Sequence, residues 1–558
     1  GAGIYIFKTP SSLITECNFY ENNGKEGAGI AILNSNGNIT NCEFNLNTAT
    51  YGAGAILGQN TLSNLNYVTF NVSGSSFTNN TALESGAGLD IIALERGFSI
   101  TIDSCSFEKN KCINIYGDGA AMTITDQADI YSHELATEVN ISNTVIRDGQ
   151  AGFSGGIIIT AADDSMNVNI NNVKILNNKG FRTGGGLYFS VLDLARLDFE
   201  LHNVVFDSNS TDLWTGAGIE LDIFENKYSP TYLIDSCMFS NQDAAGAGGA
   251  FFNLVYNSVK GPEGIIRNSV FSNNTSPGSG GAISSKYQKL LIENTLFSEN
   301  YSLGLLDQIA NGGGAIEAYQ SQITVRNTTF DNNRSDDEGS SLFVHGGSTV
   351  DLENVLFSGN HGKNAIYSRD TVSLRNVTMI ENDVALELDT NSYTIIQNSI
   401  FSSSEHNLTI AVPSETISKG SNISSDNSMS EVLTGYGAYN DMNNTDPKLN
   451  VDFVPEKGSP AIDAANPDDV QSALDLAGNP RMQGGAIDIG SYESFLVAVK
   501  DAIWNDPAIS IYPNPVSETL QLKLESSWIG DTRITIYNQL GQLVYSVVKN
   551  KTANTEVF

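Results

Sequence analysis

The sequence predicts an all-β chain: a stack of short parallel strands followed by a smaller β-module at the C-terminal end. Three observations carry this. A pattern of 25 to 34 residues recurs through most of the chain, apolar residues within each copy alternate with period two, and helical periodicity is absent over most of the length. Hydrophobic residues make up 40% of the 558, enough for a large core, while only 16% are charged, below the roughly 25% of an average globular protein. Lys and Arg number 29 against 63 Asp and Glu, a net charge of −34 that repels nucleic-acid phosphates and anionic lipid. No run of about 18 apolar residues occurs, so no transmembrane helix is expected. The chain opens on Gly1-Ala2-Gly3-Ile4 without an initiator Met or a basic-then-apolar leader and stops at Phe558 in mid-pattern, so it reads as part of a longer precursor.

Each repeat begins with a small-residue cluster and an aliphatic, as in Gly27-Ala28-Gly29-Ile30, Gly86-Ala87-Gly88-Leu89, Gly216-Ala217-Gly218-Ile219 and Gly313-Gly314-Ala315-Ile316. Between these clusters falls a second motif, Cys17-Asn18-Phe19, Cys42-Glu43-Phe44, Cys105-Ser106-Phe107 and Cys237-Met238-Phe239, with Thr or Val replacing the Cys in later copies. An Asn usually follows the Phe by three or four residues: Asn22, Asn79, Asn110, Asn209, Asn300, Asn333 and Asn360. In Ala217–Ile223 the odd positions are apolar and the even ones include Glu220 and Asp222, the pattern of a strand with one face buried. The inward parity slips by one between residues 102 and 105, and likewise between 201 and 204, 325 and 328, and 352 and 355, so the chain turns a corner there. The residue before the second strand is Asn at Asn41, Asn143, Asn172, Asn203, Asn268, Asn294, Asn327, Asn354, Asn376 and Asn398. Asn tolerates the left-handed backbone of a tight bend, and its amide can bond to copies above and below, so this column is read as a structural ladder.

These features resemble the right-handed parallel β-helix, and within it the polymorphic outer-membrane-protein type of repeat with its Gly-Gly-Ala-Ile and Phe-x-x-Asn elements. The resemblance covers residues 1–410 and implies about thirteen coils, a rod on the order of 60 Å long at about 4.8 Å per coil. Residues 411–495 read as the last coils and cap. There the series Gly458-Ser459-Pro460-Ala461-Ile462-Asp463, Gly478-Asn479-Pro480-Arg481 and Asp488-Ile489-Gly490-Ser491-Tyr492-Glu493 looks like the terminal region of bacterial surface β-helices, suited to covering an apolar end.

Candidate chemistry is sparse. Four of the five Cys share one inward repeat position and read as small buried hydrophobes, with Cys112 left over, so no disulfide framework is expected. The histidines are His133, His202, His345, His361 and His406, of which His345 and His361 read as solvent-exposed corner residues. Parallel β-helices include polysaccharide lyases and glycoside hydrolases. Such enzymes need an acidic calcium cluster beside a basic residue, or carboxylates paired at a set separation. The acidic pairs Asp163-Asp164 and Asp336-Asp337 lie in apparent loops, and Gly-His-Gly and Arg-x-Lys companions are missing. No catalytic residue is assigned and no cofactor is required; weak calcium binding by clustered surface carboxylates is the more plausible metal chemistry.

After a linker at 496–507, residues 508–558 alternate again. Tyr512-Pro513-Asn514-Pro515 and the later Ile536-Tyr537-Asn538-x-x-Gly541-Gln542-Leu543-Val544 resemble the C-terminal sorting domain of Bacteroidota type IX secretion, a small Ig-like β-sandwich. The family continues for two or three further strands, so the module is read as incomplete. The resemblance implies export across the outer membrane, with the type IX translocon and its shuttle barrel as partners, then cleavage and a surface lipid anchor or release. The expected function is a cell-surface or secreted passenger, adhesive or structural, with a glycan or cell-surface ligand. An exported polysaccharide lyase or glycoside hydrolase is the alternative.

Overall fold

A computed structural model describes residues 3–60, 68–94, 98–127, 136–162, 165–192, 194–256, 261–305, 311–411, 414–432, 440–468, 472–482, 486–494, 508–512, 521–525, 530–537, 543–552 and 555–557. They fall into two units, Gly1–Phe495 and Leu496–Phe558. The linker expected at 496–507 lies outside the described residues.

The first unit is a parallel coil. One coil runs through Leu187–Leu192, Arg196–His202, Val205–Asp207 and Ser210–Thr211 before the next begins at Ile219. Each element pairs in parallel with its counterpart one coil on: Leu187 with Ile219, Phe199 with Tyr232, Phe206 with Phe239. Among the described residues the first strands form a fifteen-stranded sheet, and the second and third strands together form a sheet of 28. Fifteen strands exceed the thirteen or so that the motifs count, because the last coils shorten and shed the small-residue cluster; Ile366 pairs with Leu386 and Leu386 with Leu408.

Two of the cluster glycines have separate duties. Gly216 sits at φ +59°, a left-handed turn into the strand that disfavours a side chain. Gly218 lies so close to the next coil that a Cβ would stand 2.5 Å from the Ala250 carbonyl oxygen.

The core is two aromatic columns joined by aliphatics. Phe19, Phe44, Phe77 and Phe107 stack at centroid spacings of 4.8, 4.8 and 4.4 Å. Ile146 and Ile175 continue the column, and Phe206, Phe239, Phe271, Phe297, Phe330 and Phe357 stack at 4.6 to 5.0 Å. These spacings equal the distance between neighbouring strands, so one ring per coil fills the layer without offset.

Behind the rings runs a buried amide ladder. Asn47 donates its backbone N–H and its Nδ2 to Asn80 Oδ1, at 3.1 and 2.9 Å, and a second Nδ2 bond to the Phe19 carbonyl at 2.9 Å. The same geometry links Asn22, Asn47, Asn80 and Asn110, and again Asn178, Asn209, Gln242, Asn274, Asn300, Asn333, Asn360 and Asn382. Asn80, three residues after Phe77, is the ladder member and not Asn79, the residue named from the sequence; Asn79 takes the positive-φ position beside it.

The corner Asn column is equally regular. Asn41, Asn143, Asn172, Asn203, Asn268, Asn294, Asn327, Asn354, Asn376 and Asn398 all have φ between 48° and 55°. Side-chain bonds link Asn172 to Asn143 (2.7 Å), Asn203 to Asn172 (3.2 Å), Asn294 to Asn268 (3.3 Å) and Asn354 to Asn327 (3.1 Å).

The terminal segment does more than cover an end. Ile423, Ala461 and Ile489 pack with Ile400 over the last coils. Residues 466–468, 472–482 and 486–491 also lie along the side, crossing the corner column. Asn354 donates to the Leu474 carbonyl and Asn398 to that of Asn466, both at 2.8 Å, and Ser491 N–H donates to Thr378 Oγ1 at 3.0 Å. Buried Arg481 binds Glu493 and the Gly490 carbonyl at 2.9 Å each, and also Asn354 Oδ1.

In the second unit, Ala508–Tyr512 pairs antiparallel with Gln521–Glu525, which pairs with Thr555–Val557; Gly530–Tyr537 pairs antiparallel with Leu543–Lys551.

Phe297→Ala should remove a fully buried ring between two stacked neighbours and cost about 3–5 kcal/mol. Urea unfolding monitored by circular dichroism checks this, and an unchanged midpoint would contradict the stacked core.

Candidate functional site

Register on the large sheet places outward side chains in columns. One column reads Asp198, Thr231, Glu263, Lys289; the next reads Glu200, Leu233, Ile265, Leu291, Thr324; the third reads His202, Asp235, Arg267, Glu293, Arg326. The first two columns, with Arg326 of the third, line an open groove of about 700 Å³, and the rest of the third column runs beside it. Beneath it Gly264 faces inward, where a Cβ would stand 2.0 Å from the Tyr232 ring, so the missing side chain makes room for that ring in the core. Tyr232 is buried, stacks on Phe199 at 5.1 Å, and accepts a hydrogen bond from Gln288 at 3.0 Å.

The groove is an aliphatic track, Leu233, Ile265 and Leu291, between charged rails. Glu263 and Lys289 stand 3.6 Å apart on one side. On the other, Arg267 makes two bonds to Asp235 Oδ2 at 2.8 and 3.0 Å, and Arg326 approaches Glu353 at 3.7 Å. Burial alone would lift the Asp235 carboxyl, but donation from Asn268, Arg267 and Ser236 holds it below the usual range. Carboxylates and bases on adjacent coils are therefore present on this face, which the sequence did not reveal because they are 25 to 35 residues apart and ordered only by register. They are engaged with one another as ion pairs.

The acids with displaced pKa values lie on the other sheet. Glu220 and Asp222 were expected on an outward face, yet only 2% and 5% of their surfaces are exposed. The fifteen-stranded sheet is buried on both sides here, so period two does not mark a solvent face. Burial lifts Glu220 well above the carboxylate range, and the neighbouring Asp222 adds to it; Asp222 is itself pushed by burial up to about 7, moderated by hydrogen bonds from Tyr188 and Glu220. Tyr188 donates to Asp222 at 3.2 Å. A carboxyl pair sharing a proton has the chemistry of an acid–base site, but this one lacks access for a substrate. Asp90 is a third buried acid, raised by burial to about 7.

The remaining candidates separate. His345 is not a solvent-exposed corner: it is buried, stacked on Phe343 at 4.1 Å, and 3.0 Å from Glu317, which accepts from Ser284 at 2.6 Å. His202, His361 and His406 pair with Glu200, Asp383 and Asp426. Asp336 binds Arg334 and Asp337 binds Lys363, so that acidic pair is divided between two cations. His133 and the pair Asp163-Asp164 lie outside the described residues. Cys17, Cys42, Cys105, Cys112 and Cys237 are free thiols. Among the described residues no three His, Cys, Asp or Glu side chains are grouped to hold a metal ion. Of the sorting motif, Tyr512 ends the strand Ala508–Tyr512; Pro513, Asn514, Pro515 and Gly541 lie outside the described residues.

Known families supply the decisive comparison. Residues 192–384, about a third of the chain, match the family described as right handed beta helix region, and residues 510–557 match the secretion system C-terminal sorting domain. The chain is a secreted right-handed β-helix with a type IX sorting tail. No curated protein matches it. The β-helix match spans the whole groove, and the sorting tail places the β-helix outside the outer membrane. No described helix is long and apolar enough to cross a membrane.

The buried acids of this β-helix set a pH dependence. Asp222 and Asp90 stay protonated in the fold up to about pH 7, whereas the unfolded chain ionises them near 4. Between those values the folded state binds more protons, so stability falls as pH rises, by up to about 1.4 kcal/mol per pH unit for each group. Asp222→Asn should flatten the decline in urea stability between pH 5 and 7.5; an unchanged slope would contradict it.

Proposed function

We propose that this exported β-helix is a non-catalytic adhesive or structural surface protein that holds an extended ligand along its groove. The observation that carries this reading is the aliphatic track of Leu233, Ile265 and Leu291 bordered by paired charges. An apolar strip repeated over three successive coils suits the faces of a polymer, and the rails offer hydrogen bonds to its edges. Each contact is weak, and repetition along the coils supplies avidity. Calcium bridging between exposed carboxylates and an anionic glycan belongs to the same reading. The tail is the element that engages the type IX machinery, and we assign its recognition to the outer-membrane shuttle barrel, followed by cleavage and anchoring or release.

A glycoside hydrolase is the second reading, favoured by the raised Glu220–Asp222 pair, and it requires the cover over that pair to open.

The first reading is checked by incubating the protein with acidic and neutral polysaccharides, with and without calcium. Retention without cleavage is expected, weakened about tenfold by Ile265→Asp. New reducing ends, or absorbance from unsaturated uronates, would overturn it; new reducing ends without that absorbance, abolished by Glu220→Gln, would establish the hydrolase, whereas the absorbance would mark a lyase.

Export is tested separately. A complete copy of the sorting module fused to a periplasmic reporter should bring the reporter to the surface of a type IX-competent host, and retention in the periplasm would refute the assignment.

A further inference from the structure

We propose that the corner carrying Tyr116, Arg182 and Trp214 is a second binding site, for a carboxylate-bearing polysaccharide, independent of the groove. Backbone bonds from Phe153 to Gly117, Arg182 to Gly152 and Trp214 to Arg182 set these residues on successive coils. The Arg182 guanidinium lies 4.1 Å from the Tyr116 ring centroid, 5.1 Å from Trp214 and 5.6 Å from Phe153. Rings hold it in place, in the stacked geometry that favours Arg over Lys. Among the described residues no carboxylate pairs with Arg182, and its Nε is buried without an acceptor. In a chain with 63 acids and 29 bases, an oriented guanidinium without an acidic partner is a vacant fork for a carboxylate.

The surroundings select the ligand further. Lys111 and Lys179 stand in one column two coils apart, aligned through Gln150, about 10 Å by strand spacing. They border a hollow of about 290 Å³ that also takes in Ile113, Ile115 and Phe181. Lys179 is answered by Asp212 at 2.9 Å, while Lys111 and Arg182 have no ion-pair partner among the described residues, on a protein of charge −34. Tyr116 and Trp214 are 60% and 47% exposed, so each offers an apolar ring beside the cations. Flat apolar faces alternating with cations at coil spacing match a polymer of rings bearing regularly spaced carboxylates. Charge complementarity concentrates such a ligand here and not on the acidic remainder.

The test uses the full chain and polygalacturonate oligomers, with methyl-esterified polygalacturonate and poly-glutamate as comparison probes. Titration should show polygalacturonate binding that weakens with salt and falls at least tenfold on esterification. Arg182→Gln and Trp214→Ala should each lose about tenfold with unchanged circular dichroism, while Arg182→Lys keeps part of the affinity. Equal binding of the esterified polymer, or undiminished binding by both Arg182→Gln and Trp214→Ala, would overturn the site. Poly-glutamate binding as tightly as polygalacturonate would overturn the assignment to a polysaccharide.

Discussion

Every coil of this protein depends on buried side-chain amides bonded from one layer to the next. Asn47, Asn80, Asn110 and their later counterparts sit behind the phenylalanine column; Asn47 and Asn80 each use both Nδ2 hydrogens and the backbone N–H within the stack. The amides satisfy backbone groups that the turn after the Phe strand would otherwise leave unpaired in a dry interior, at about 1–3 kcal/mol for each orphan. They also fix register. A coil slipped by one residue would place its Asn against solvent and a strand residue against the ladder, so the amide column and the ring column specify the same alignment. Where Gly149 replaces the Asn, its N–H still reaches Asn178 at 3.0 Å and the ladder resumes.

Much of this was legible in the sequence because repetition turns weak local signals into strong ones. The parity slip at residues 102 to 105 and the Asn before each second strand located the corners, since a left-handed backbone restricts residue type sharply. The Phe columns followed from period two. Asn80 was within reach of the sequence, since it alone keeps the three-residue step from Phe77 that Asn22, Asn110 and Asn209 keep from their own Phe; Asn79 stands only two residues on. The burial of Glu220 and Asp222 was missed. Alternation reports two faces of a strand but does not say that both are covered, and here neighbouring small-residue corners cover the second.

The groove was illegible for a different reason. Its members are scattered from Asp198 to Arg326, and nothing local distinguishes Leu233, Ile265 or Leu291 from core residues. Register alone brings them onto one outer face, and beneath it Gly264 leaves room for the Tyr232 ring of the preceding coil. The terminal series around Arg481 was recognisable by its residues but not by its placement. Its buried Arg481–Glu493 pair and its bonds to Asn354 and Asn398 make it a strap across several coils, with a buried ion pair whose loss of one partner is far costlier than its net worth.

The amide column also has a direction. Each Asn inside the column gives its backbone N–H and one Nδ2 hydrogen to the side-chain oxygen of the coil that follows it in sequence, and its other Nδ2 hydrogen to a carbonyl of the coil before, so the exposed end of a shortened stack differs with the side from which it is cut. Removing coils from the N-terminal side strands one side-chain oxygen and a single Nδ2 hydrogen. Removing them from the C-terminal side strands amide donors, which folded interiors rarely leave bare. A chain emerging N-terminus first therefore carries an unfinished donor edge at every stage of its assembly, and only the arrival of the next layer quiets it. Growth is polar, like that of a filament with one reactive tip, and the tip falls silent where the repeat gives way to the terminal strap.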